Sequence, residues 1–508
     1  MKEKKIFDAL TEVREDHIEE ARTTRLKKQS ISWKMRTVAA ACAVLIIGVS
    51  GLLIVPGLLS FGGNTGSGSA GRGESSVFMS YAGPVFPLTL NEADSTIRAA
   101  RSISYNFSMP YEDSLRIWGA HVTDQYTLSN DAAKDKTVKA IYPFAGSFDD
   151  LTDLTPVINV NGQEASPVLY AGRYSGGFTG GFAGSHGEED SNSSINVVQL
   201  NSWEGYKKLL EDGEYENSAF APYTELSQQV TVYIFSGFTA PEEYDAATQA
   251  ISFTIDPDRT TLLMYGFNGG EIGDDGFRRF SFFVPNQTHT RHDLKMLIVI
   301  GDDITDYTLQ GYKTGACEAG NELDGVSSTV TRDELILADV MDEIIDDFFA
   351  QYDQKQAAVK HRELFSGEVA EYMLQYGLLS EFVIDRYLHG MVEDIISETN
   401  TLKRVFYLEF EVTIPAGESV TINADMHKKP SYDFAGSGSN KQDLQGYDMV
   451  TRLGTNLHID ALTAEITSDD RIEIVRQNFG FNLPQGICQV TLNPAADHYY
   501  LEIRPVEY

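Results

Sequence analysis

The segment RVFYLEFEVTIPAGESVTINAD, residues 404–425, has the clearest strand pattern in the chain. Its apolar and polar side chains alternate, which is typical of antiparallel strands that turn one face to solvent. We predict that it opens a β module running from 401 to the C-terminus at 508. The segments LPQGICQVTLNP and HYYLEIRP have the composition of the closing strands of this module.

Two more β modules are predicted upstream. Residues 77–200 contain β-branched and aromatic runs such as ISYNFS and TVKAIYPFAG, and Asn161-Gly162 between apolar runs is a β-hairpin signal. Residues 228–331 contain further runs of this kind, such as QVTVYIFSGF and TTLLMYGF. The predicted fold class is therefore mainly β, α+β overall, with β-sandwich-like modules.

Helices are predicted between the β modules. Residues 201–227 are interpreted as a helical connector, and 332–400 as a helical segment between the second and third modules. In the first helix of that segment, apolar residues from Leu337 to Phe348 recur at helical spacing. The opposite face carries five carboxylates: Asp339, Asp342, Glu343, Asp346 and Asp347. Such a face could hold Ca²⁺, but one helix face offers ligands from a single direction, so a solvated acidic face is the alternative.

An uncharged run near the N-terminus predicts a membrane span. From Val38 to Leu59 there are 22 residues without a charge, about 33 Å of helix, which is enough to cross a bilayer. We assign the transmembrane helix to 37–60 and a Gly/Ser linker to 61–76. Lysines and arginines crowd the N-terminal flank, so the positive-inside rule places residues 1–36 in the cytoplasm and the rest outside the cell. A cleaved signal peptide is the alternative.

The distribution of charge agrees with this topology. Residues 1–36 hold ten Lys or Arg against seven Asp or Glu, a net charge of +3, whereas the remainder holds 30 against 67, a net charge of −37. Such an acidic ectodomain repels phosphate backbones, which excludes nucleic acid as a partner.

The cytoplasmic tail contains a short amphipathic pattern. Ile6, Leu10, Val13 and His17 recur at helical spacing within residues 5–22, in a helix too short to be stable alone in water. One interpretation is a docking helix for a cytosolic protein, and the other is an ordinary leader for the membrane anchor.

A family resemblance bears on this tail. The run FDALTEVREDHIEEA at 7–21, the basic stretch, the Ala/Leu/Val-rich span and the Gly/Ser linker resemble the N-termini of bacterial single-pass membrane proteins. Some of those proteins look like anti-sigma regulators, in which a cytosolic tail holds a sigma factor. The resemblance covers about 75 residues and implies a cytosolic regulatory partner. No cysteine precedes Cys42, so the chain departs from the zinc-binding anti-sigma pattern.

One loop is a candidate for ligand contact. Between 172 and 187 seven glycines alternate with aromatic residues, and Arg173, Tyr174, Phe178 and Phe182 are the candidate contacts. Aromatic rings on a flexible glycine backbone suit sugar or peptide surfaces. A disordered insertion is the alternative.

The remaining motifs do not indicate a catalytic or metal-binding site. The oxygen-rich segments 268–276 and 301–306 lack the spacing of an EF-hand loop, and His289-Thr290-Arg291-His292 lacks the glutamate of a zinc protease. Lys313-Thr314-Gly315 has no Ser-x-x-Lys partner. We therefore predict no catalytic residue, metal site or cofactor, and leave open whether Cys317 and Cys488 pair.

Together these patterns predict a non-enzymatic, membrane-anchored extracytoplasmic protein. Its expected role is envelope sensing or scaffolding, with the lipid bilayer, an envelope ligand and a cytosolic regulatory protein as partners. A surface adhesion or ligand-binding module is the alternative, and an extracellular hydrolase is a third.

Overall fold

The computed structural model describes residues 80–81, 83–108, 119–171, 226–244, 246–273, 275–285, 294–351, 360–375, 391–401, 404–433, 444–452 and 454–506. Over these residues the protein is mainly β, as predicted, with several sheets and few helices. The predicted tail, span and linker lie outside them, as does most of the predicted connector 201–227. None of the described helices is long and apolar enough to cross a membrane.

The first sandwich-like unit is built from both ends of the described chain. Its N-terminal strands are β1 Ser80–Tyr81, β2 Thr89–Leu90, β3 Ile97–Asn106, β4 Ala120–Asn130, β5 Lys136–Gly146, β6 Val157–Val160, β7 Gln163–Glu164 and β8 Val168–Ala171. Its C-terminal strands are β17 Arg404–Ile414, β18 Ser419–Lys428, β19 Tyr432–Asp433, β20 Gln445–Val450, β21 His458–Thr467, β22 Ile472–Gln477, β23 Gln489–Leu492 and β24 His498–Pro505. Strand β24 coincides with the predicted closing segment HYYLEIRP.

Strands from the two ends alternate within the same sheets. One sheet has the order β23-β21-β3-β4-β18-β6-β7, in which only β21 and β3 are parallel. Opposite it lie a sheet of order β2-β5-β17-β8 and one of order β1-β19-β20-β24-β22. Val85 bridges to Phe144 and Met449 and so joins these last two. The first and third predicted β modules therefore share their sheets.

Alternating side chains explain why these sheets pack together. In β3 and β4 every second residue is buried, and Ile103, Tyr105 and Val122 join one core with Leu408 and Phe410 of the opposing sheet. The Asn161-Gly162 hairpin is confirmed, since both residues have positive φ between β6 and β7.

The solvated face predicted for 404–425 is only partly observed. Strand β18 alternates between buried and half-buried residues, whereas β17 is buried on both faces from Arg404 to Phe410. The buried stretch includes residues 406–409, where β17 pairs with β5 on one side and β8 on the other.

A second sandwich-like unit is inserted between β8 and β17. Its strands are β9 Gln229–Thr239, β10 Ala246–Thr254, β11 Thr260–Tyr265, β12 Gly269–Ile272, β13 Phe277–Pro285, β14 Lys295–Gly301, β15 Tyr307–Tyr312 and β16 Ser327–Ile336. They form two antiparallel sheets, β11-β14-β9-β16 and β12-β13-β10-β15, with an aromatic core that includes Phe235, Phe280 and Phe282.

Among the described residues, three helices lie between the two units: α2 Leu337–Gln351, α3 Arg362–Gln375 and α4 Val392–Thr401. The short helix α1 Leu151–Leu154 belongs to the first unit and contacts β18. Strands β11 and β14 are buried on both faces: Leu262 and Leu297 face the inserted core, while Leu263 and Ile298 pack with the helices. The predicted apolar stripe of α2 is buried, but the helix begins only at Leu337, because the residues just before it continue β16.

The helices also contact the first unit. Phe365 of α3 meets Phe148 edge to face, with ring centroids 5.0 Å apart, and Phe148 meets Phe406 of β17 at 5.2 Å. Arg404 of β17 forms an ion pair with Glu368 of α3. One continuous hydrophobic core therefore joins the first unit, the helices and the near sheet of the second unit.

Candidate functional site

The outward face of the seven-stranded sheet carries polar side chains in straight rows. Outward positions on neighbouring strands are register partners, so their side chains stand beside one another. One row crosses all seven strands: Thr491, Thr463, Ser102, Gln125, Asn423, Asn159 and Glu164. A parallel row contains Gln489, Glu465, Ser104, Thr123, Asp425 and Val157.

These rows are cross-linked by hydrogen bonds between side chains. The Thr123 hydroxyl donates to Asp425 Oδ1 at 2.6 Å, and the Gln125 amide donates to Asn423 Oδ1 at 2.8 Å. None of the row members is fully buried. The face is therefore a solvent-facing array in which hydroxyl and amide groups predominate and the carboxylates of Glu164, Asp425 and Glu465 are interspersed, and we call it the polar face. It covers the outward side chains of β3, β4, β6, β7, β18, β21 and β23.

A buried ion pair stiffens the sheet beneath the polar face. Arg101 on β3 makes two bonds of 2.8 Å to Asp124 on β4, and the hydroxyls of Tyr126 and Tyr142 each donate to Asp124 Oδ2 at 3.1 Å. Arg101 also donates to the Val450 carbonyl at 2.7 Å, which ties the two sheets together. Burial alone would lower the pKa of Arg101, but the neighbouring Asp124 raises it overall, so the guanidinium remains charged.

Two imidazoles close one end of the polar face. His121 and His427 are register partners on β4 and β18, with ring centroids 5.6 Å apart and planes nearly perpendicular. Burial, and then the neighbouring His121, lower the pKa of His427.

A small cleft opens beside His427. Its floor is formed by apolar and aromatic side chains such as Phe144 and Met426, and its rim by Lys429, which pairs with Asp150 at 3.1 Å. The cleft has enclosed room for about two water molecules. It is therefore too small, as it stands, for a drug-sized ligand.

Ionisable groups also converge on the outward side of the five-stranded sheet. His498 Nε2 lies 3.1 Å from Asp448 Oδ2, and Arg476 binds both oxygens of Glu502, at 3.0 and 2.5 Å. The Tyr432 hydroxyl donates to Glu502 Oε1 at 3.3 Å. Carboxylates and an imidazole are the groups that a hydrolase uses, but each carboxylate here contacts a basic side chain of a neighbouring strand. This arrangement suits cross-linking of β20, β22 and β24.

A buried carboxylate stands where the helices meet the inserted unit. Glu393, in the first turn of α4, accepts a hydrogen bond from the backbone N–H of Gly266, and Lys295 donates to the Gly266 carbonyl at 3.4 Å. Its Oε2 is enclosed and has no hydrogen-bond partner among the described residues. Burial raises the pKa of Glu393 to about 7, against the opposing effect of the Gly266 hydrogen bond.

The predicted acidic helix face and oxygen-rich loops are engaged in internal contacts. Arg362 of α3 lies 3.1 Å from Asp342 and 3.0 Å from Asp346. In the loop after β14, Asp303 pairs with Arg332 at 2.8 Å. The described residues contain no group of three or more His, Cys, Asp or Glu placed to hold a metal ion.

Other sequence candidates lie outside the described residues. They are the ligand loop with Arg173, Tyr174, Phe178 and Phe182, the docking helix with Ile6, Leu10, Val13 and His17, and the histidine pair at 289–292. These stay predictions. Cys317 and Cys488 are both free thiols.

No protein-family model, curated protein or solved structure matches the chain. The polar face was not found from the sequence, although its longer strands β3, β4 and β18 alternate visibly. Its members come from segments that are far apart in the chain, and only the strand register shows that they form rows.

Proposed function

We propose that the chain is a membrane-anchored extracytoplasmic protein that acts by binding, senses or scaffolds an envelope ligand and signals to a cytosolic regulator. The transmembrane helix at 37–60, the linker at 61–76 and the cytoplasmic tail at 1–36 are parts of this proposal. The 22-residue uncharged run and the change of net charge from +3 to −37 across it support them.

The observation that carries the binding role is the polar face. An array of hydrogen-bonding groups, held by a double-layered β scaffold, can recognise an extended partner without catalysing a reaction. The clustered ionisable groups on the five-stranded sheet contact one another instead, as Asp448 does with His498 and Glu502 with Arg476.

The alternative is a surface adhesion or ligand-binding module. The polar face favours it equally, because it requires only that the ectodomain bind and that the tail anchor it. The two proposals differ in the cytoplasm, where signalling requires a partner for the predicted docking helix.

Topology is tested first, with the full chain in its own cells. A protease added to intact cells should cut within the linker at 62–76 and release the ectodomain, while an epitope at the N-terminus stays protected. Protection of the ectodomain, or loss of the N-terminal epitope, would contradict the proposed orientation.

The signalling arm is tested by crosslinking from the tail. A photo-crosslinker placed in the tail of the full chain should capture one cytosolic protein, and Leu10→Asp should abolish capture by breaking the apolar stripe. Glu12→Gln, on the other face of the predicted helix, is the matched control and should leave capture intact. Equal capture by both variants, or none by the wild type, would favour the adhesion alternative.

A further inference from the structure

We propose that the polar face binds an uncharged polysaccharide, a neutral chain of sugar rings laid across its strands. This inference rests on the proposed function and names the chemical class of the envelope ligand that an extracytoplasmic domain would bind. Polysaccharide binding can nevertheless be measured in vitro whether or not that placement is right.

The hydrogen-bonding character of the polar face matches sugar hydroxyls. A sugar hydroxyl donates one hydrogen bond and accepts others, and Ser, Thr, Asn and Gln side chains also do both. The row through Ser102, Gln125 and Asn423 presents such groups on consecutive strands. The second row continues them through Ser104 and Thr123. A polyhydroxylated chain can therefore exchange its water contacts for protein contacts without leaving polar groups unpaired.

The charge of the polar face selects a neutral ligand. The ectodomain carries a net charge of −37, yet the outward positions of β3, β4 and β18 are mostly Ser, Thr, Asn and Gln. The carboxylates in the two rows are Asp425, which accepts from Thr123, and Glu465 and Glu164 nearer the edges of the sheet. Arg98, at one margin, is paired with Asp460 at 2.5 Å. An anionic polymer would be repelled by the whole ectodomain, and a cationic one would be drawn to its acidic surfaces instead. A neutral polymer avoids both effects.

The spacing of the strands suits a chain of sugar rings. Neighbouring strands lie about 4.8 Å apart, so seven strands present a face roughly 30 Å wide. That interval is close to the length that one six-membered ring contributes to an extended polysaccharide. A chain lying across the strands therefore meets a comparable hydroxyl or amide group at each ring.

The composition of the polar face also determines how strongly we expect it to bind a polysaccharide. Among the described residues, the outward positions of β3, β4 and β18 contain no Phe, Tyr or Trp on which a sugar ring could stack. Each ring should then contribute little, and the apparent affinity should grow with the number of rings engaged. Long polymers should bind visibly where short oligosaccharides do not.

The test is affinity electrophoresis of the full chain in a non-ionic detergent. Native gels contain no polymer, hydroxyethylcellulose, dextran or dextran sulfate, and the retardation in each polymer is measured against the polymer-free gel. The proposal expects retardation by at least one neutral polymer, none by dextran sulfate, and little effect of added monosaccharide.

Two variants locate the binding on the polar face. Thr127→Lys puts a long charged side chain at its centre, between Ala100 and Thr421, and should abolish retardation. Thr308→Lys makes the same change at an exposed position of β15 in the inserted unit and is the matched control. Gln125→Ala removes one amide and should weaken retardation about three- to tenfold.

Three outcomes would overturn the inference. They are absence of retardation by both neutral polymers, retardation unchanged in Thr127→Lys, and stronger retardation by dextran sulfate. Sedimentation of the same samples tests the other possible occupant, a second copy of the chain. A dimer that dissociates in Thr127→Lys would assign the polar face to that second copy. If polysaccharide binding is absent while the membrane topology is as proposed, the proposed anchoring stands. Failure of the polysaccharide inference can therefore be distinguished from failure of the proposed function.

Discussion

Replacing Glu393 by Gln should stabilise the junction between α4 and the inserted unit at alkaline pH and leave it almost unchanged at acidic pH. Glu393 is enclosed at the end of β11, where its carboxylate meets the Gly266 N–H and one oxygen has no partner among the described residues. Gln has the same shape and keeps the acceptor for Gly266, but it cannot acquire a charge.

The sign and magnitude follow from proton linkage. The pKa of Glu393 is about 7 in the folded protein, against 4.5 for an exposed glutamate, so the folded state holds the proton more tightly. The stabilising effect of the protonated form is therefore fully present below pH 4.5 and is lost as the pH rises through 7. At 1.36 kcal/mol per pKa unit, the difference between 4.5 and about 7 lowers the stability of the wild type by about 3 kcal/mol above pH 8. Glu393→Gln should avoid this loss.

Hydrogen exchange measured by mass spectrometry reads the effect locally. For peptides covering β11 and α4, the protection of Glu393→Gln relative to wild type should be near one at pH 4. It should reach roughly 200- to 300-fold at pH 8.5. Comparison at equal pH removes the intrinsic exchange rate and the titration of distant groups.

The charged neighbours of Glu393 and a control variant determine which result would contradict this prediction. Lys295 on β14 lowers the pKa of Glu393 and Asp394 raises it, and both are kept in the comparison. Glu343→Gln, at an exposed position on α2, should alter protection at neither pH. A protection ratio for Glu393→Gln that is independent of pH, or one below unity at pH 8.5, would show that the enclosed carboxylate is not the source of instability.

Two further predictions concern the first unit. Arg101→Met leaves Asp124 buried without its cation and should lower the free energy of unfolding by about 3–5 kcal/mol, whereas Arg98→Ala at an exposed pair should leave the urea unfolding curve nearly unchanged. Circular dichroism during urea titration measures both, and similar losses would contradict the assignment of the buried pair. Replacing residues 172–403 by a short glycine-rich turn should leave the first unit folded, because β8 and β17 are adjacent paired strands; loss of its strand signal would refute this.

Local sequence patterns predicted the elements better than their partners. The mainly β class, the hairpin at Asn161-Gly162 and the buried stripe of α2 were all visible in side-chain periodicity. Pairing of β17 with β5 and of β18 with β4 was not, because periodicity reports which face of a strand is buried and not which strand lies beside it.

The same difference between local patterns and distant partners applies to the candidate sites. Dense local motifs, such as the carboxylates of α2, are visible in the sequence, but their partners are not. The structure places Arg362 of α3 beside two of these carboxylates. Glu393 has no local signal either, because its raised pKa comes from burial where α4 meets β11, which is distant in sequence. The polar face likewise depends on register across seven strands.

The topology separates the polar face from both places where the chain leaves the first unit. Strand β1, the described strand nearest the predicted linker, pairs with β19 in the layer opposite the seven-stranded sheet. The insertion departs after β8 and returns at β17, and both strands also belong to that opposite layer. A ligand on the polar face would therefore meet neither the membrane tether nor the roots of the inserted unit. This arrangement is compatible with the proposed anchored receptor, because the layer nearest the predicted linker differs from the layer proposed to bind.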